Sequence, residues 1–194
     1  MPAQRINIGL ALGGGGARGL VHIGVLKSLK KQGIPVHMVA GASIGATIGA
    51  MYAATLDPDW VEKRFRQFVQ SDLYKKIGLD RLVPTDQPNS SIFQTAATYV
   101  KNQIIVNLAN DRLGILKQDR LLQVLEYLIP VKTFEELKIP FSCLTLDLNS
   151  GEDIIFKTGD LVEAILASSA IPGFIPPVEK NGLLLTDGSV SCPV

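Results

Sequence analysis

Residues 35–50 read PVHMVAGASIGATIGA, and this stretch decides the fold because it predicts a strand, a sharp turn and a helix in succession. The apolar residues 35–40 are typical of a buried parallel strand, and the small residues at the other end favour a closely packed helix. Between them lies the pattern G-x-S-x-G, in which Gly41 and Gly45 flank Ser43. Such a strained turn needs small flanking residues and can hold up a serine nucleophile. We therefore expect Ser43 to be a catalytic nucleophile.

A nucleophilic serine needs a general base, which is usually a histidine that an acid orients. The chain has only two histidines, His22 and His37, and both precede Ser43. The first acidic residue along the chain is Asp57. None of the familiar orders of serine, histidine and acid therefore fits this sequence. A carboxylate that follows Ser43 becomes the leading candidate for the base.

The order of predicted elements indicates an α/β fold. Short apolar runs at residues 6–12 and 35–40 each precede a segment with helical spacing, at residues 17–32 and 44–55. Two consecutive strand–turn–helix units imply a parallel sheet with right-handed crossovers. Further helices are predicted at residues 60–69, 119–128, 133–137 and 160–168, and further strands at residues 141–146, 153–156 and 183–185. At 194 residues, the chain suits a single domain.

Composition excludes several classes of protein. Hydrophobic residues make up 46% of the chain and charged residues 19%, which argues against disorder. A net charge of +1 gives no footprint for nucleic acid, so no nucleic-acid partner is expected. Cys143 and Cys192 lack metal-type spacing and indicate reduced thiols. With no secretory leader pattern and no apolar run of about 20 residues, we expect a cytoplasmic protein that can contact membranes peripherally.

A second glycine cluster, GGGGARG at residues 13–19, follows the first predicted strand and is called the glycine loop below. It satisfies the dinucleotide pattern G-x-G-x-x-G, but the next strand ends without the acidic residue that holds a ribose. No Gly-Lys-Ser/Thr closes a phosphate-binding loop either. Successive glycines also let backbone amides converge on an anion, such as the oxyanion of a tetrahedral acyl intermediate. A tight turn is the structural alternative, although four successive glycines exceed what a turn needs.

Two aspartates end predicted strands, and they are interpreted differently. Asp187 follows an apolar strand and precedes Gly188, which places its carboxylate at a sheet edge. Asp147 is followed by Asn149, Ser150 and Gly151, which indicates that it helps to fold a turn. Asp187 is therefore the better candidate for a base that accepts the proton of a serine. A structural role for Asp187, capping a turn, is the alternative.

Taken together, these motifs resemble the patatin-like phospholipase family, in its bacterial-type members. The glycine loop is similar to the family's oxyanion loop, residues 41–45 to its nucleophile elbow, and Asp187-Gly188 to its aspartate motif. Residues 167–172 (ASSAIP) resemble its A-S-x-x-x-P stretch, and residues 145–148 (TLDL) its strand-end turn. The occurrence of these motifs in this order makes the resemblance specific. It runs almost end to end and is weakest across residues 57–138.

The resemblance implies a three-layer α/β/α fold with a mainly parallel central sheet, formed by residues 1–194 as one domain with a variable helical region at 57–138. It implies a carboxylic ester hydrolase acting on lipids, in which Ser43 attacks the ester and Asp187 is the base. The implied oxyanion hole comprises Gly14, Gly15, Gly16, Ala17 and Arg18. No metal or organic cofactor is implied, and the partner is a lipid or ester substrate.

The sequence departs from the family pattern in two ways. Ser189 stands where the aspartate motif usually has Gly or Ala, and its hydroxyl can bond to Asp187 and make it a weaker base. The chain also stops at Val194, whereas family members usually continue with further strand and helix, so we expect a truncated form. The alternatives to a hydrolase are an acyltransferase, a non-catalytic lipid-binding or regulatory protein of this fold, and a nucleotide-binding domain that uses the glycine loop.

Overall fold

The computed structural model describes residues 7–77 and 116–193, so part of the predicted variable region lies outside the described residues. The described strands are β1 (Gly9–Leu12), β2 (Met38–Gly41), β3 (Phe141–Asp147), β4 (Asp153–Phe156), β5 (Val178–Lys180) and β6 (Leu183–Asp187). The described α-helices are α1 (Val21–Lys31), α2 (Ile44–Thr55), α3 (Pro58–Gln70), α4 (Asp72–Ile77), α5 (Gln118–Leu128) and α6 (Leu161–Ser168). Short 3-10 helices occupy Gly16–Leu20, Phe134–Glu136 and Gly188–Val190.

The two predicted strand–turn–helix units are confirmed, with one difference at the glycine loop. The predicted helix at residues 17–32 is divided into the 3-10 helix Gly16–Leu20 and the α-helix α1. Gly15 and Gly16 have φ angles of 151° and 55°, which a residue with a side chain rarely adopts. The backbone therefore enters the first helix through a tight turn before regular α-helical geometry begins.

The α/β class is confirmed, and the sheet is mixed. β1, β2 and β3 pair in parallel, whereas β4 and β6 pair antiparallel to β3, and β5 antiparallel to β6. The antiparallel pairs arise from short connections, because two strands joined by a tight turn run antiparallel. β5 and β6 are joined by Asn181 and Gly182, whose φ angles of 51° and 81° are typical of a two-residue hairpin turn. Among the described strands, parallel pairing is thus limited to β1, β2 and β3.

Strand β3 brings β2 and β6 together because one of its edges pairs with β4 and the other pairs with both β2 and β6. β4 pairs with residues 143–146 of β3. β2 pairs with residues 141–143 and β6 with residues 145–147. Since both pairings share residues with the β4 pairing, β2 and β6 lie along the same, opposite edge of β3. They run towards each other there, and their carboxyl ends meet beside Leu144.

The core packs against the face of the sheet that carries Phe141 and Cys143. Helix α2 contacts β1, β2 and β3, and α6 contacts β3, β6 and α2. A Cβ added at Gly49 of α2 would lie 2.9 Å from the Val39 side chain and 3.0 Å from the Phe141 ring. The small residues of α2 therefore allow the close packing that the sequence predicts. No described helix is long and apolar enough to cross a membrane.

Candidate active site

Ser43 lies in a strained turn between β2 and α2, and residues 41–45 are called the elbow below. Its backbone angles are φ 55° and ψ −128°, a conformation that residues with side chains rarely adopt. Such a conformation costs about 1–3 kcal/mol and persists where the surrounding structure enforces it. The residue is only 5% exposed. The predicted strand-to-helix turn is therefore present, with the strain that a nucleophile elbow requires.

The two elbow glycines are required by close backbone approach. A Cβ at Gly45 would lie 2.1 Å from the Leu12 carbonyl oxygen and 2.6 Å from that of Gly13. A Cβ at Gly41 would lie 2.6 Å from the Gly45 carbonyl oxygen. The Ala42 amide donates to the Leu12 carbonyl at 3.1 Å, which fixes the elbow against the end of β1. Neither glycine position has room for a side chain.

Asp187 reaches the elbow from the opposite direction. It is the last residue of β6, and the next residue, Gly188, packs so closely on β3 that a Cβ there would lie 2.5 Å from the Leu144 carbonyl oxygen. Strand β2, which leads into the elbow, ends beside the same part of β3, where Gly41 pairs with Cys143. The antiparallel direction of β6 therefore brings its carboxyl end, with Asp187, to the carboxyl end of β2.

Gly14 of the glycine loop lies between the two sides of the site. A Cβ at this position would be 3.4 Å from the Ser43 Cβ and 2.2 Å from the Ser189 Oγ. Ser189 in turn contacts the Asp187 carboxylate. Three segments that are far apart in sequence, the glycine loop, the elbow and the aspartate motif, thus meet around one residue without a side chain.

One oxygen of the Asp187 carboxylate is held by hydrogen bonds, and the described residues leave the other open. Oδ1 accepts hydrogen bonds from the Ser189 amide at 2.9 Å and the Ser189 hydroxyl at 2.6 Å. No hydrogen bond from the described part of the chain reaches Oδ2. The side chain is buried, at 4% exposure of the residue. The predicted contact from Ser189 is therefore present, and it fixes the orientation of the carboxylate.

The amides of the glycine loop divide into two groups. Arg18 donates its amide to the Gly15 carbonyl at 3.2 Å, so this amide is used within the 3-10 turn. It does not fit the predicted role in an oxyanion hole, because a bonded donor is not available to a ligand. The amides of Gly14, Gly15, Gly16 and Ala17 have no acceptor among residues 7–77 and 116–193.

A further hydrogen-bond donor lies at the elbow, and no sequence motif indicates it. The amide of Ile44, the first residue of α2, has no acceptor in the described part of the chain. The first amides of a helix lack partners within the helix and favour negative charge. The position after a nucleophile supplies such a donor in other elbows. Ile44 was missed because its apolar side chain carries no chemical signal.

Both histidines are bonded to backbone atoms away from the Ser43 hydroxyl. His22 donates Nε2–H to the Gly13 carbonyl at 2.9 Å, which supports the glycine loop. His37 accepts the Ile8 amide on Nδ1 at 2.9 Å, before the start of β2. No hydrogen bond between a histidine and Ser43 is found among the described residues. The arrangement agrees with the absence of a familiar triad order.

Ser168 is a second serine at the elbow, and the sequence showed it only as part of the A-S-x-x-x-P stretch. Its hydroxyl accepts the Ser43 amide at 3.0 Å and donates to the Leu144 carbonyl at 2.6 Å. Nearby, burial raises the pKa of the Cys143 thiol to about 12. This thiol therefore stays protonated near neutral pH and is a poor alternative nucleophile.

Asp147 closes the turn between β3 and β4, as the sequence predicts. Its Oδ2 accepts the Ser150 hydroxyl at 2.7 Å and the Ser150 amide at 3.1 Å, and its Oδ1 accepts the Leu184 amide at 2.9 Å. The Ser150 hydroxyl is the main cause of a lowered pKa for Asp147, and the backbone amides add to it. Within the described residues, no group of three or more His, Cys, Asp or Glu could hold a metal ion.

Comparison with known proteins identifies a family. The family model for patatin-like phospholipases matches residues 10–194. A patatin-like phospholipase domain-containing protein of Caenorhabditis elegans is 35% identical over 185 residues, which cover 93% of this chain and 12% of that protein. An uncharacterized NTE family protein of Mycobacterium tuberculosis is 34% identical over 188 residues, covering 96% of this chain and 44% of that protein.

The fold has a counterpart among solved structures. VipD from Legionella pneumophila matches with a TM-score of 0.57 and 18% identity, over 95% of this chain and 46% of that chain. This likeness supports the fold alone. The match of the family model to nearly the whole chain shows that the protein belongs to the patatin-like phospholipase family. It spans less than half the length of the curated relatives above.

Proposed function

We propose that this protein is a serine acyl hydrolase that cleaves carboxylic esters of lipids through a dyad of Ser43 and Asp187. The observation that carries the proposal is the meeting of the strained Ser43 elbow and the carboxyl end of β6 beside Leu144, around Gly14. The strained conformation of Ser43 lowers the stability of the fold. Such strain is typical of functional sites, so it supports a functional role for this serine.

In the first half of the proposed reaction, the open oxygen of Asp187 accepts the proton of the Ser43 hydroxyl. The Ser43 oxygen attacks the ester carbonyl carbon, and the carbonyl π electrons move onto oxygen to give a tetrahedral oxyanion. When this collapses, the bond to the alcohol oxygen breaks and Asp187 returns the proton to that oxygen. The alcohol leaves, and the acyl group remains on Ser43.

In the second half, Asp187 takes a proton from water, and the water oxygen attacks the acyl carbon. Collapse of the second tetrahedral intermediate breaks the bond to the Ser43 oxygen, which regains the proton from Asp187. The free carboxylic acid is released. If an alcohol replaces water, the same site transfers the acyl group instead of hydrolysing it.

Both intermediates carry a negative oxygen that the unbonded amides of the glycine loop can stabilise. In known sites, removing one donor of this kind costs about 2.7–4 kcal/mol of transition-state stabilisation. Gly14 lies nearest to Ser43 in this loop. We assign the oxyanion hole to the amides of residues 14–17, with the Ile44 amide on the elbow side, and we leave the Arg18 amide out because it is already bonded.

The substrate class rests on the family. Relatives named as patatin-like phospholipases support a lipid ester, with the head group and acyl length determined by residues around the site. Exposed apolar residues Leu20 and Val21 follow the glycine loop, and Val190 follows the aspartate motif. We propose that these side chains contact the surface of a lipid aggregate when the ester enters.

The proposal is tested with a fluorophosphonate probe and an ester panel. The wild-type protein should become labelled on Ser43, as located by peptide mass spectrometry, and should hydrolyse p-nitrophenyl esters and phospholipid vesicles. Ser43→Ala should lose labelling and turnover together, because it removes the attacking oxygen. Turnover by the Ser43→Ala protein at the wild-type rate would reject the proposal.

A non-catalytic lipid-binding function is the second candidate, and the Ser189 hydroxyl favours it. This hydroxyl bonds the carboxylate of Asp187 at 2.6 Å and so occupies a lone pair of the proposed base. The same probe separates the two functions. A non-catalytic protein would bind lipid vesicles but leave Ser43 unlabelled, whereas an enzyme labels.

A further inference from the structure

Ser168 is the last residue of α6 and is completely buried. Its hydroxyl makes two hydrogen bonds, one from the Ser43 amide at 3.0 Å and one to the Leu144 carbonyl at 2.6 Å. One oxygen atom therefore joins α6, the elbow and β3. Neither of these contacts belongs to the proposed reaction, in which the hydroxyl of Ser43 and the carboxylate of Asp187 take part.

The Leu144 carbonyl lies at a gap in the sheet. On this edge of β3 the pairing with β2 ends at Cys143, and the pairing with β6 begins at Thr145. Neither strand has a residue in register with Leu144. The Ser168 hydroxyl donates a hydrogen bond to the Leu144 carbonyl at this place. The carboxyl ends of β2 and β6, which lead to the elbow and to Asp187, also meet here, so the hydroxyl bonds β3 at the proposed site.

The Ser43 amide needs a partner because a buried, unpaired backbone N–H is costly. This amide lies past the end of β2 and belongs to the residue with the strained φ of 55°. The Ser168 oxygen accepts it at 3.0 Å, so the hydrogen bond ties the strained residue to α6.

We propose that Ser168 is a positioning residue, which holds the elbow in its strained conformation and so aims the Ser43 hydroxyl between the glycine loop and Asp187. This role rests on the proposed acyl-hydrolase function. Ser168 acts through Ser43 and does not touch the substrate. Reactive atoms displaced by about 1 Å can lose about 100-fold in rate, so a loosened elbow has a large effect on the reaction.

The test compares the removal of two equivalent hydroxyls. Ser168→Ala removes the hydroxyl at the elbow, and Ser168→Cys keeps a similar volume with a weaker donor and acceptor. The matched control is Thr55→Val at the far end of α2. The Thr55 hydroxyl also donates to a carbonyl, of Met51 at 2.8 Å, and accepts an amide, of Asp57 at 3.2 Å.

Two measurements are made on each folded variant, well below its melting temperature. One is the saturating rate of fluorophosphonate labelling at Ser43, with the concentration for half-saturation. The other is hydrogen exchange of the elbow peptide by mass spectrometry. Ser168→Ala should slow labelling about 100-fold with half-saturation unchanged, and should speed exchange at the elbow. Ser168→Cys should lie between Ser168→Ala and the wild type, and Thr55→Val should leave both measurements unchanged.

Labelling of Ser168→Ala at the wild-type rate would overturn the proposal, and so would equal slowing by Thr55→Val, which would indicate a general effect of stability. A wild-type protein that never labels would instead reject the proposed function. In that case the exchange measurement alone decides the role of Ser168. Faster elbow exchange in Ser168→Ala than in Thr55→Val supports it, and equal exchange overturns it.

Discussion

Asp147 ends β3 and Asp187 ends β6, and because these strands are antiparallel the two carboxylates lie at opposite ends of one strand pair. Each is followed by a serine whose hydroxyl bonds it, Ser150 at 2.7 Å and Ser189 at 2.6 Å. The two carboxylates differ in how many of their oxygens accept hydrogen bonds. Both oxygens of Asp147 accept hydrogen bonds, whereas in the described residues the bonds to Asp187 reach only Oδ1.

This comparison separates a carboxylate that is used within a turn from one with an oxygen that the described residues leave unbonded. A carboxylate whose lone pairs are all used by amides and hydroxyls is stabilised in its charged form and has no oxygen free for a substrate or a serine. A carboxylate held by one oxygen is oriented and still open. Asp147 and Asp187 are thus each followed by a serine, yet we assign them opposite roles because different backbone amides surround the two turns.

The largest expected effect comes from neutralising the open carboxylate. Asp187→Asn should lower ester turnover by about 10²–10⁴-fold, because the amide cannot accept the Ser43 proton. The Asn side-chain oxygen can still accept the two hydrogen bonds from Ser189, so the fold should persist. Turnover and the midpoint of urea unfolding are measured side by side. If Asp187→Asn turned over ester at the wild-type rate, another residue would be the base, and the distinction between Asp147 and Asp187 would not hold.

A smaller effect is expected from the two serines. Ser189→Ala should raise turnover by about three- to tenfold, because it removes a hydrogen bond to the carboxylate of the proposed base while the Ser189 amide still orients it. Ser150→Ala is the matched control and should leave turnover unchanged. Steady-state rates with one short-chain ester measure both. A loss of turnover in Ser189→Ala would mean that the hydroxyl is needed to orient the Asp187 carboxylate.

The smallest effect on turnover is expected at Asp147, where the change appears in stability and its pH dependence. The lowered folded pKa means that the Asp147 carboxylate contributes stability that is present above its unfolded pKa of about 4. That contribution is lost as the pH falls through the folded-state pKa. Asp147→Asn should therefore unfold at lower urea than the wild type at pH 7, with a difference that shrinks below about pH 4.

Urea unfolding at several pH values checks this, with Asp187→Asn measured in parallel. A difference between Asp147→Asn and the wild type that grows towards acid pH would contradict the assignment. Equal loss of turnover in the two Asn variants would remove the distinction between the two aspartates altogether.

Local patterns were sufficient for much of the fold. The alternation of apolar strands, glycine turns and helical spacing predicted β1, β2, α1, α2 and α6, because these depend on residues close in sequence. The short strand β5 was missed, since two prolines precede it and it has only three residues. The direction of β6 was also missed, because it follows from the hairpin at Asn181 and Gly182.

By itself, the sequence determined that Ser43 sits in a glycine-flanked turn, that no familiar histidine triad fits, and that a downstream carboxylate must be considered. These conclusions need only residue types and their order. Tertiary structure decided which carboxylate stands at a strand end that meets the end of β2, which loop amides stay unbonded among the described residues, and that Ser168 links the elbow to β3. These features depend on pairing between distant segments: β2 and β6 meet on one edge of β3 because one runs parallel and the other antiparallel to it. No local pattern encodes that meeting point.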